Sequence, residues 1–98
     1  MDRRIMMLRL RNQLEQQVAL AELADSSAAL QSLKSCYQEA TRLVEAPRPS
    51  VTDLEALALR LRAAALQPGP LSGQATLRIA ASYHWLARQL KSESLVSP

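Results

Sequence analysis

Leu54, Leu57, Leu61 and Ala64 or Ala65 recur three or four residues apart, the interval that places side chains on one face of an α-helix. Just ahead of them, Thr52-Asp53-Leu54-Glu55 has the spacing of a capping box, in which a Thr hydroxyl and a Glu carboxylate satisfy free amides at a helix start. Asp53 and Glu55 suit the positive end of the helix dipole, and Arg60 and Arg62 the negative end. The pattern predicts a helix over 52–67, stopped by Pro68-Gly69-Pro70. Leu59, Ala63 and Leu66 lie well around from the main apolar face, so this helix is expected to be central to the core.

A further helix over 72–92 follows from a stripe of Ala75, Ile79, Ser82, Leu86 and Leu90, with Ala80, Tyr83 and Ala87 beside it. The polar stretch 93–98 is expected to fray, leaving 1–92 as one helical domain.

Residues 1–46 contain neither Gly nor Pro, so the apolar phase is the only guide to where the chain turns. One stripe reads Met7, Leu10, Leu14, Gln17, Ala21, Ala24, and the next reads Leu23, Ser26, Leu30, Leu33, Tyr37, Ala40, Val44. The two are out of phase by two positions and change over at Asp25-Ser26-Ser27, residue types that cap helices. A single helix of about 44 residues would be roughly 66 Å long, whereas a compact domain of this size has a radius of gyration of about 13 Å. The favoured reading is a turn there, giving helices over 2–24 and 27–46. The alternative is one continuous helix that projects and needs a partner. The fold class is thus all-α, a small bundle of three to four antiparallel helices.

Composition narrows the picture. Eighteen Leu and sixteen Ala stand against four Val, two Ile and no Phe, a balance that favours helix over strand. Ten of the twelve basic residues are Arg and the net charge is +3; residues 1–46 are balanced, and the excess lies in 47–98, with six basic against three acidic side chains. One cysteine, Cys36, rules out an intramolecular disulfide. The apolar run that follows Arg3 and Arg4 ends after four residues at Arg9, too short for a secretory signal, and no apolar stretch of spanning length occurs. An Arg-rich, acid-poor start also fits an organelle-targeting peptide, but the pattern continues smoothly into the first helix, and the cytoplasm is the expected location.

Little here points to catalysis. His84 is the only histidine, the nine carboxylates are dispersed, and neither a Glu-x-x-His pair nor a Gly-rich phosphate loop is present. A Cys36–His84 nucleophile pair is conceivable, but Cys36 reads more simply as a small buried apolar group beside Tyr37, and His84 as a residue on an exposed helix flank. No enzyme activity, cofactor or metal is expected. Ile79-Ala80-Ala81-Ser82-Tyr83, with Ala87 four further on, resembles the first helix of a tetratricopeptide unit, which implies a repeat-type helical array. The resemblance covers one helix; Thr76 stands where that family has Trp, and no 34-residue period accompanies it.

The densest apolar patch lies at the start, where Ile5, Met6, Met7, Leu8 and Leu10 cover most of the helix circumference between Arg3, Arg4, Arg9 and Arg11. This patch reads either as the closing turn of the bundle with Arg stems laid over it, or as a docking surface in which Met adapts to shape and Arg supplies rim contacts. A basic amphipathic membrane anchor is a weaker third reading, since the apolar residues do not segregate to one side. The docking residues expected on the second reading are Ile5, Met7, Leu8, Leu10 and Leu14, edged by Arg4 and Arg11. The functional expectation is a non-enzymatic interaction module that buries apolar helix faces against another helical protein or its own copy. In size and helix content the chain resembles the small helical adaptors and chaperones of bacterial secretion systems. The alternative is a weakly basic helical nucleic-acid-binding regulator, although Arg60 and Arg62 point about 200° apart on a helix and form no stripe.

Overall fold

The computed structural model describes residues 3–24, 27–66 and 73–96. Among them four α-helices follow one another, α1 (Arg3–Leu23), α2 (Ser27–Glu45), α3 (Val51–Ala65) and α4 (Gln74–Val96), with no strand. α1 packs on α2, α2 on α3, α3 on α4 and α4 back on α1, while among the described residues the backbones of the diagonal pairs stay apart and meet only through core side chains. Consecutive helices joined by short connections and packed side by side run antiparallel. The product is a closed ring of four helices, with extents of 50 × 22 × 19 Å and a radius of gyration of 13.6 Å.

The first 46 residues therefore form two helices. α1 ends at Leu23, and Ala24 is already in a turn, its amide donating to the Leu20 carbonyl at 3.0 Å. Asp25 and Ser26, where the sequence predicts the change of direction, lie outside the described residues. The energetics favour the fold-back. It lets Met7, Leu10 and Leu14 of α1 join Leu33, Cys36 and Leu43 of α2 in one core cluster. Burying each large side chain is worth about 1.5–3 kcal/mol, whereas each backbone hydrogen bond lost at the break costs about 0.5–1.5 kcal/mol net. The packing of α4 against α1 also decides against the open array that the tetratricopeptide resemblance implies, because stacked repeats contact only their neighbours and leave the ends apart.

α3 starts earlier than its expected capping box. Ser50, in extended backbone (φ −78°, ψ 135°), is the N-cap; its hydroxyl accepts from the Asp53 amide at 3.3 Å, and Thr52 lies inside the first turn. Pro49 precedes it, and an extended residue after proline places the Ser hydroxyl over the free amides. Asp53 turns outward to Arg42 of α2, whose guanidinium bonds Asp53 Oδ2 at 3.0 Å and also grips Glu39. This fork ties the last turn of α2 to the first turn of α3. The Arg42 hydrogen bond holds the Glu39 carboxyl below its ordinary pKa.

α4 begins at Gln74, with the Leu77 amide donating to the Gly73 carbonyl at 2.9 Å. The Pro68-Gly69-Pro70 stop, and the helix limits expected at Gln67 and Ser72, lie outside the described residues. At its other end α4 runs on to Val96 instead of ending near 92, and Glu93 on that extension pairs with Arg3 of α1 at 2.9 Å. No Gly or Pro interrupts 74–96, so local preference allows the helix to continue.

The inward face of α1 is as expected, with Met7, Leu10, Leu14 and Ala21 buried. On α2 the buried face runs through Leu33, Cys36, Ala40, Leu43 and Val44, which moves its centre off Tyr37, and Leu23 before it is exposed. On α4, Thr76 and not Ala75 points inward with Ile79, Ala80, Tyr83, Leu86 and Ala87. Ser82 bonds within its own helix, its Oγ donating to the Arg78 carbonyl at 3.0 Å. α3 buries Leu54, Leu57, Ala58, Leu61 and Ala64. It is not central in the sense expected: like every other helix it has two neighbours, and its second apolar face, carrying Leu59, Ala63 and Leu66, is exposed.

Candidate interaction surface

The docking residues expected from the sequence divide by burial. Met7, Leu10 and Leu14 belong to the core, so contacts within the chain already cover them. Leu8 is half-buried against that core, and Arg11 is half-buried with its Nε inside, the Arg stem lying over apolar surface. Ile5, at 47% exposed, and Arg4 remain on the surface. The N-terminal patch thus chiefly closes one end of the bundle. A cleft of about 710 Å³ at that end is lined by Arg3, Arg4 and Met7 together with the α2–α3 connection and Leu90, but Arg3 is already bridged to Glu93 and Glu45 offsets part of the remaining positive charge.

A different surface combines apolar exposure with concavity. α3 and α4 make the most extensive interface in the ring, and along its seam lie the small residues Ala58, Ala80 and Ala81. Small side chains there leave a trough between the helices, a groove of about 510 Å³. Leu59 stands on the α3 bank and Leu77 and Trp85 on the α4 bank, 64%, 36% and 49% exposed. Leu77, Ala81 and Trp85 are spaced four apart and form a stripe on α4 beside its core stripe, with His84 and Arg88 alongside. Arg62 is the cation on the α3 bank. The signal for this surface is present in the sequence, since Leu59, Leu77 and Trp85 are large apolar residues out of phase with the core stripes of their helices. Without the packing of α3 on α4, nothing says that the two off-phase stripes meet.

No protein-family model matches this chain, and it matches no curated protein and no solved structure. The surface must be read from its own chemistry. Cys36 borders the α2–α3 seam with Arg60 and Ala64, whereas His84 lines the α3–α4 groove, so the two are not brought together as a nucleophile and base. Burial pushes the Cys36 thiol up in pKa, only partly offset by the nearby Arg60 cation. Tyr83 is fully buried; desolvation, with Cys36 adding to it, raises its phenol well above the ordinary value against a smaller lowering by Arg11. No group of three potential metal ligands occurs among the described residues, and no helix among them is long and apolar enough to cross a membrane.

These environments set an expectation for Cys36. A thiolate is the reactive form, and both burial and the raised pKa suppress it, so a thiol reagent such as Ellman's reagent will label the native chain at least tenfold more slowly than the denatured chain. Labelling at the same rate in both states would mean that α2 does not hold Cys36 inside.

Proposed function

We propose that this chain is a non-enzymatic helical interaction module, of the adaptor or small-chaperone kind, that works by burying an exposed apolar helix face against another protein. The observation that carries this reading is the α3–α4 groove, where Leu59, Leu77 and Trp85 stay exposed although four helices already enclose a core. A large apolar side chain left in water forgoes about 1.5–3 kcal/mol of burial, and several such residues converging on a concave strip are characteristic of a surface that a partner covers. Proteins that dock helices commonly present such a strip between two antiparallel helices.

The alternative, a weakly basic nucleic-acid-binding regulator, draws less support. Arg3 is engaged with Glu93 across α1 and α4, whereas Arg42, with Glu39 and Asp53, and Arg60, with Ser35, are engaged across α2 and α3. These cations are divided between two seams and partly neutralised instead of forming one basic stripe.

The groove reading is tested by Leu59→Glu with Leu77→Glu in the full chain. Both positions are exposed, so the helical signal and the unfolding transition should stay close to the parent's. Proteins that copurify with the tagged parent should be lost from the double variant and kept by Gln13→Glu, an exposed change on α1. Equal recovery with both variants would remove the groove from consideration.

A further inference from the structure

The groove has a sign as well as a shape. Arg62 and Arg88 stand on its banks, both exposed, with His84 between the α4 positions, and no carboxylate lines it. Neither arginine takes part in an ion pair among the described residues. Glu55, the nearest carboxylate along α3, comes one turn before Leu59 and lies outside the lining. Because α3 and α4 run antiparallel, Arg62 near the end of α3 and Arg88 toward the end of α4 occupy opposite ends of the trough. From Leu77 to Arg88 the α4 bank rises by about 16 Å, the length of about three helical turns.

These features select among occupants. A second copy placed groove to groove about a two-fold axis would set rim cations only against rim cations, an arrangement that like-charge juxtaposition disfavours. A basic helix meets the same objection. An extended strand gains little, since both banks are helices whose backbone groups are bonded internally and offer no edge to pair with. A helix with an apolar stripe and carboxylates at its margins satisfies both the floor and the rim.

Resting on the docking reading above, we propose that the α3–α4 groove receives one amphipathic helix of another protein, about three turns long, with an apolar stripe that lies on Leu59, Leu77 and Trp85. Flanking Asp or Glu side chains of that helix pair with Arg62 and Arg88. The apolar contact supplies most of the affinity, and the charge pairs set orientation and exclude basic helices.

Trp85 is the only tryptophan in the chain, so its fluorescence reports the groove without a label. The test uses the full chain and two synthetic peptides of about 18 residues, long enough to hold helix, that share one Leu stripe at i, i+3, i+4 and i+7 spacing. One peptide carries Glu beside the stripe and the other Lys. The Glu peptide should shift Trp85 emission to the blue and saturate, bind at least tenfold more tightly than the Lys peptide, and weaken as salt rises. In the Arg62→Glu and Arg88→Glu double variant the preference should reverse, with the helical signal unchanged. Equal or tighter binding of the Lys peptide overturns the acidic partner and leaves the docking reading in place. Silence of Trp85 toward both peptides also overturns the proposal; the docking reading falls with it only if the Leu59→Glu and Leu77→Glu variant keeps its copurifying proteins as well. A blue shift that grows with the concentration of the chain alone assigns the groove to a second copy, against the proposal.

Discussion

Replacing Met7 or Leu10 with Asp is expected to unfold the chain rather than detach it from a partner. Both side chains are 4% exposed and join the core cluster with Leu14 of the same helix. An Asp at either position removes the apolar contact and forces a carboxylate into the core, which costs several kcal/mol when the charge is unpaired. Arg3 and Arg4 line the cleft beside Met7 and offset part of that cost there, so Leu10→Asp is the more damaging of the two. A chain of this length has a total stability of about 5–15 kcal/mol, so a loss of about 4 kcal/mol or more removes much or all of it. Thermal or urea unfolding followed by circular dichroism should show the transition lost or moved far toward mild conditions. Ile5→Asp, two residues from Met7 and half exposed, should change the stability by no more than about 0.5 kcal/mol. If Met7→Asp unfolds at the parent's midpoint, α1 is not part of the core and the closed ring is wrong.

Gly73→Ala should destabilise the bundle by more than the modest penalty that Ala ordinarily carries in place of Gly just before a helix. Gly73 precedes α4, and its backbone lies against the last turn of α3; a Cβ added there would overlap the Ala65 carbonyl oxygen and come within 3.1 Å of the Ala65 carbonyl carbon. The obstruction is backbone and not a flexible side-chain tip, so relief requires the start of α4 to move away from the end of α3, at one end of the most extensive interface in the ring. Overpacking of this kind costs about 1–3 kcal/mol, more than the roughly 0.4–1 kcal/mol that the lower unfolded-state entropy of Ala returns. Chemical denaturation should show a lower midpoint with an unchanged slope. A midpoint at or above the parent's would mean that α4 does not approach α3 so closely.

The two variants probe different levels of legibility. The burial of Met7, Leu10 and Leu14 follows a helical repeat that can be read along α1, yet the same repeat fits a docking face, because periodicity says which side of a helix is apolar and not what covers it. The turn between α1 and α2 was legible only as the favoured of two readings, from a two-position change of phase around Asp25 to Ser27 without any Gly or Pro; one continuous helix fitted the same stretch. The cap of α3 was misplaced because Thr52 to Glu55 and Ser50 to Asp53 have the same spacing, and only the backbone conformation at Ser50 distinguishes them. The close approach at Gly73 had no local signature, since it involves a residue eight positions earlier, across the connection between α3 and α4.

The sequence by itself determined that this protein is helical, where α3 and α4 run to within a few residues, and which face of α1 is apolar. Those properties depend on local propensity and on a repeat of 3.6 residues, and both are written within each segment. Only the tertiary structure decided that α4 closes on α1, that Leu59 is left outside, and that it shares a groove with Leu77 and Trp85 between Arg62 and Arg88. A groove is a relation between two helices, fixed by how closely Ala58 and Ala80 let them approach, and no periodicity within one helix contains that distance.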